Sequence, residues 1–223
     1  MKHETVTVVI ACAGKGSRFD APYPKELHAI SPGVTVLHRA LQPIDALKHN
    51  ASDIRLLMVT DPSRRASMEI ACSEAGHSDL AFVVQTLNHG SGLAGVLRAA
   101  RPWARGVTVL LLADQFFESP SDALARLVDL VIEHRGAVLA APDADVHDMS
   151  QEGALRIDEE TSMVIRSAEK PSNLDGFNAV WVALAAREDS WDFLERAVSE
   201  TPDSLADAPS VTVDGYRNVT YPT

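Results

Sequence analysis

Cysteine is nearly absent from this 223-residue chain, which carries only Cys12 and Cys72. Two thiols so far apart make no disulfide framework and suit a reducing, cytoplasmic setting. Cys12 lies within an apolar strand-like run, where a small core residue is the ordinary role and a catalytic thiol the rarer one. An excess of cations is missing too. Twenty Lys and Arg face 31 Asp and Glu, a formal net charge of -11, which argues against a nucleic-acid groove or an anionic membrane surface. An anionic ligand must then be held by a local cluster of cations.

No apolar run approaches the length of a membrane span. The N-terminal run leads into a charged glycine loop instead of a small-residue cleavage site, so export is not expected. Internal repeats, low-complexity tracts and flexible linkers are also lacking, which argues against two independent domains. What the chain does have is a 46% hydrophobic content, enough at this length for a sizeable core in one domain, 1–223, with at most a small lobe.

Apolar, branched runs at 6–11, 54–59, 80–84, 107–112 and 137–141 read as buried strands of a parallel sheet. Between them, 36–47, 63–75, 92–100 and 121–133 carry helical periodicity, the last with Leu124, Leu127, Val128, Val131 and Ile132 on one stripe. Strand alternating with helix predicts a doubly wound, mostly parallel α/β sheet with helices on both faces and ligands beyond the carboxyl ends of its strands. From about 143 the pattern changes to short strands at 154–157, 163–166 and 178–184 and a helix at 191–198. The chain thus divides into a parallel-sheet half, 1–142, and a mixed-strand part with the C-terminal segment, 143–223.

The run Val8-Val9-Ile10-Ala11-Cys12-Ala13-Gly14-Lys15-Gly16-Ser17-Arg18-Phe19, followed by Pro24-Lys25-Glu26-Leu27-His28, passes from a buried strand into a two-glycine loop flanked by cations. Backbone N–H groups of such a loop turn inward on phosphate oxygens, and Arg18 and Lys25 supply the charge that nucleotidyl transfer requires. The spacing matches neither a Walker loop nor a dinucleotide loop. Asp114 ends the run Leu110-Leu111-Leu112-Ala113, and a carboxylate at the end of a buried strand is expected to hold a cation or cap a helix. Ser119 or Ser121 already offers an N-cap for the helix that follows, which leaves Asp114 free for a cation.

These segments resemble the sugar-1-phosphate nucleotidyltransferases, whose signature is a strand, A-A-G-x-G-[ST]-R and then P-K. The gap to Lys25 and the Leu-His after it look most like the uridylyltransferases of the family. Gln85-Thr86-Leu87-Asn88-His89-Gly90-Ser91-Gly92-Leu93-Ala94 is similar to Q-x4-G-[TS]-G-x-A. Glu169-Lys170-Pro171 is similar to E-K-P, and Phe177-Asn178-Ala179 to the N-x-G after it. The segments occur in the family's order and span most of the chain. The resemblance implies a Rossmann-like, GT-A-like fold. It also implies an enzyme that joins a nucleoside triphosphate and a sugar 1-phosphate into an NDP-sugar and pyrophosphate, with Mg2+ as cofactor and a homo-oligomer allowed.

Residue by residue, the resemblance makes Arg18, Lys25 and Asp114 the catalytic set. It puts the nucleotide on Ala11, Ala13, Gly14, Gly16, Ser17, Gln85, Gly90 and Ser91, the sugar on Gly153, Glu169, Lys170 and Asn178, and the metal on Asp114 and Asn218. Gln85 offers a carbonyl and an NH2, the complement of the N3–H and O4 edge of uracil or thymine. The metal's second ligand has a competitor in Asp214. Tyr221 stands where the related motif N-[VI]-x-T-P-E-D has threonine, and Leu112-Ala113 stands where uridylyltransferases have Tyr-Gly. No hexapeptide repeat accompanies these motifs, so no acetyltransferase activity is inferred. Two alternatives stay open: a cytidylyltransferase acting on phosphocholine or another non-sugar phosphomonoester, and a nucleotide-binding regulatory protein without chemistry.

Overall fold

The computed structural model describes residues 5–14, 19, 21–51, 53–118, 121–199 and 201–219. Strand β1 (Thr5–Cys12) is followed by a 3-10 turn at Lys25–Leu27, the ribbon β2 (Ala29–Ser31) and β3 (Val34–Thr35), and α1 (Val36–Asn50). Next come β4 (Asp53–Thr60), α2 (Arg65–Glu74), β5 (Ala81–Val84), a 3-10 turn at Leu87–His89, α3 (Gly92–Ala100), β6 (Val107–Leu112), β7 (Gln115–Phe116), α4 (Ala123–Glu133) and β8 (Gly136–Ala141). The second half holds α5 (Val146–Gln151), β9 (Gly153–Ile157), β10 (Val164–Glu169), β11 (Ala179–Arg187), α6 (Trp191–Ala197), β12 (Ser210–Thr212) and β13 (Arg217–Asn218).

The alternation of side chains along β1 sets the layers. Val6, Val8, Ile10 and Cys12 pack on one face with Leu37 and Leu41 of α1, Met68 of α2 and Leu124 and Leu127 of α4. Val9 points the other way, to the cluster containing Val96 and Leu97 of α3 and Leu194 of α6. Strands buried on both faces need no polar alternation, which is why their sequences read as continuous apolar runs. On α4 the stripe holds for Leu124, Leu127, Val128 and Val131, but Ile132 turns outward and is 41% exposed. That helix begins after Asp122 with no side-chain cap, so Ser121 does not cap it, and Ser119 lies outside the described residues.

The central strands run β6-β1-β4-β5, all parallel. The mixed strands expected after 143 are present and continue this same sheet. Antiparallel β11 pairs through its later residues with β6 and through its first residues, Ala179 and Val180, with β9. The β9–β10 hairpin therefore stands beyond the carboxyl end of β6, over the turn that carries Asp114. On its other side β11 pairs with β8, and β12 lies beyond. Both cysteines sit in the core at 1% exposure. Burial pushes both thiols up, Cys72 to about 12, so neither is a thiolate near neutral pH and Cys12 has the core role. Among the described residues no helix is long and apolar enough to cross a membrane.

Candidate active site

Four strands deliver their carboxyl ends to one region. The N–H of Gln85, just after β5, donates to Thr60 O at the end of β4 (2.8 Å), and Ala113 N, just after β6, donates to Ala11 O in β1 (3.2 Å). A cleft of about 1240 Å3 opens there, lined by Ala13, Gly14, Asp61, Arg64, Gln85 and Gly90 among others. A Cβ on Gly14 would meet nothing within 4 Å, so no contact within the chain demands glycine at that point. Ser91 precedes α3 and makes no side-chain cap. Gly16, Ser17 and Arg18 lie outside the described residues.

Asp114 sits in the turn between β6 and β7. Lys25 heads the 3-10 turn that Pro24 initiates, and its ammonium forms an ion pair with the Asp114 carboxylate, the two side chains 17% and 21% exposed. The structure thus brings together two residues 89 positions apart whose pairing no local pattern announces. The next residue, Glu26, turns inward and is buried, facing Arg64 Nη1 at 3.4 Å, while Arg64 Nε meets Asp61 at 3.2 Å. Burial raises the Glu26 carboxyl above its usual range and Arg64 opposes the rise.

Asn218 arrives beside Asp114 because β13 pairs with β7, Asn218 opposite Gln115, and Val219 N donates to Asp114 O (3.2 Å). Its amide nitrogen donates to Glu152 Oε1 at 2.5 Å. The competitor, Asp214, is exposed and joins the far end of β7 through Glu118. Glu152 is a functional candidate that the sequence did not point to. It closes α5 directly ahead of β9, and its carboxyl is pushed up to about 7, chiefly by burial and then by the negative charges of Asp114 and Glu169, against the pull of Lys25 and Asn218. Gln115 Nε2 also reaches it (3.4 Å), while Gln115 Oε1 is buried without a hydrogen-bond partner.

This donor set fits a hard divalent cation. The atoms gathered around Asp114 are carboxylate and amide oxygens, and one buried oxygen is unsatisfied. Among the described residues no group of three or more His, Cys, Asp or Glu side chains is placed to hold an ion alone. A cation here would take one or two protein oxygens and complete its shell from water and phosphate, the usual habit of Mg2+.

Two of the expected sugar contacts have partners within the chain. A Cβ on Gly153 would lie 1.8 Å from Trp181 Nε1 and 2.2 Å from its Cδ1, so the space this glycine leaves is filled by the indole and not by a ligand. Gly153→Ala is accordingly expected to cost about 1–3 kcal/mol by overpacking, read as a fall in the urea midpoint. An unchanged midpoint would show that the indole is not seated there. Asn178 spends its side chain on Ile157, accepting from its N–H (2.8 Å) and donating to its carbonyl (3.0 Å), which clamps the entry of β11 to β9. Glu169 ends β10 opposite Gly153, and Lys170 pairs with it at 3.3 Å from a left-handed backbone, φ 46°.

No family model matches this sequence, and no curated protein does. The chain nevertheless has the sugar-1-phosphate nucleotidyltransferase fold. One solved structure like it was assigned as a glucose-1-phosphate thymidylyltransferase from Bacillus anthracis in complex with a sucrose. It is 14% identical, with a TM-score of 0.73 over 97% of this chain and 90% of that one. A UDP-glucose pyrophosphorylase complexed with UDP-glucose matches at 16% identity and TM-score 0.69, over 94% and 90% of the two chains. The inositol-1-phosphate CTP transferase from T. maritima matches at 15% and 0.69, over 100% and 92%.

Proposed function

We propose that this protein is a nucleotidyltransferase that forms an NDP-sugar and pyrophosphate from a nucleoside triphosphate, UTP or dTTP favoured, and a sugar 1-phosphate, with Mg2+. The observation that carries it is the Lys25–Asp114 pair at the carboxyl ends of the central strands, beside the cleft of Gly14 and Gln85, in this fold. Lys25, with Arg18 of the glycine loop, neutralises charge on the triphosphate. Asp114 and Asn218 would hold the cation, which when bound supplies positive charge at the α-phosphate. The acceptor's phosphate oxygen is already an anion near neutral pH. Positioning and charge neutralisation therefore suffice for a single in-line displacement, with neither a general base nor a covalent intermediate.

The engagement of Gly153 and Asn178 inside the chain favours a second reading of the acceptor, a phosphomonoester other than a hexose 1-phosphate. Pyrophosphate release measured across five nucleoside triphosphates and a panel of sugar and non-sugar phosphomonoesters, with Mg2+ and with EDTA, decides between the two. No release from any pair would refute the enzymatic reading and favour a regulatory nucleotide-binding protein.

A further inference from the structure

Gln85 turns its side chain onto its own loop. The amide nitrogen donates to Gly90 O at 2.7 Å and toward Gly92 O at 3.4 Å. Two carbonyl oxygens can be met only by the nitrogen end of an amide, so the orientation is set by its partners. Oε1 is left as the end without a hydrogen bond among the described residues, on a side chain that lines the cleft. The loop is braced from outside. Thr86 N donates to His89 Nδ1 at 3.0 Å, Arg98 Nε donates to His89 O at 2.6 Å, and Gly90 holds φ 79°.

Beneath this contact lies Gly95, in the middle of α3. A Cβ there would stand 2.1 Å from Gln85 Nε2 and 2.5 Å from Gly90 O. Glycine inside a helix is unfavourable relative to alanine, and this close approach is the reason for it here.

Resting on the nucleotide reading above, we propose that Gly95 is a specificity-determining position that sets the polarity of base recognition. By letting the Gln85 nitrogen lock against Gly90, it leaves the cleft an acceptor only. An acceptor at that point pairs with the N3–H of uracil or thymine and opposes the N3 lone pair of cytosine. A glutamine free to turn over would offer either end and would accept both bases. Gln85 thus reads one atom of the base, not the two-point edge that its amide suggests.

The test is Gly95→Ala, with MgUTP and MgCTP affinities measured by calorimetry and the Gln85 side-chain NH2 followed by nitrogen-15 NMR. The unmodified protein should prefer UTP by more than about tenfold and show a protected amide. In Gly95→Ala the amide should lose protection and the preference should narrow to within about threefold, chiefly through a gain in CTP binding. Gln85→Ala should narrow it equally, and the double variant no further. Should Gly95→Ala fail to fold, Gln85→Glu, which offers only acceptor oxygens whichever way it turns, must keep the preference for UTP that Gln85→Ala loses, and its loss there overturns the proposal. A folded Gly95→Ala protein with both the preference and the protection intact overturns the proposal. An unmodified protein that binds neither nucleotide overturns the nucleotide reading itself.

Discussion

Asp114→Asn is expected to lower turnover by ~10² or more while leaving the fold intact and its stability close to the parent's. The two halves of that expectation have one physical origin. Asp114 shares a partly buried pocket with Glu152 and Glu169, and their mutual repulsion is one cause of the high Glu152 carboxyl. Asparagine keeps the shape of the turn between β6 and β7 and its backbone bonds to Ala11 and Val219. It removes a negative charge that repels Glu152 but pairs with Lys25, so the effects on stability oppose one another, while a divalent cation would lose the charge it needs. A residue retained only for packing would give the opposite result, with activity kept or stability lost. Turnover and urea midpoint measured on the same preparation, at saturating Mg2+, separate the cases, and parental turnover in a folded Asp114→Asn protein would sink the metal assignment.

The parts of this protein that were legible in the sequence are those whose cause is local. Periodicity places the central strands and α3 closely, because a strand buried on both faces must be apolar throughout and a helix shows one apolar stripe. Motif order singles out Lys25 and Asp114 as candidates, although the contact between them is not local. Glu152 was not legible, because it is one more acidic residue beside a helix end until β11 folds the β9–β10 hairpin over Asp114. The in-chain partners of Gly153 and Asn178 were not legible for the converse reason: their types fit a sugar site, but Trp181 and Ile157 lie far enough along the chain that only tertiary pairing reveals them. Gln85 was half legible: its type and place after β5 mark it as a polar group at the cleft, but its nitrogen is engaged by Gly90.

Lys25→Ala should reduce turnover by a comparable ~10², with a larger share of the loss in nucleotide affinity, since the ammonium meets phosphate charge already present in the ground state. The ion pair adds a less obvious consequence. In the free protein Lys25 occupies Asp114, so any cation must compete with an ammonium for the same carboxylate. Removing the lysine leaves Asp114 without its ion-pair partner and Glu152 without a cation that favours its charged form, and Coulombic attraction for a divalent ion rises accordingly. Both side chains are near one-fifth exposed, so solvent screening keeps the gain modest, roughly three- to tenfold. Mn2+ titrated alone and followed by electron paramagnetic resonance should therefore bind Lys25→Ala more tightly than the parent, while the nucleotide binds it more weakly. Weaker metal binding in Lys25→Ala would mean that Asp114 is not where the cation sits.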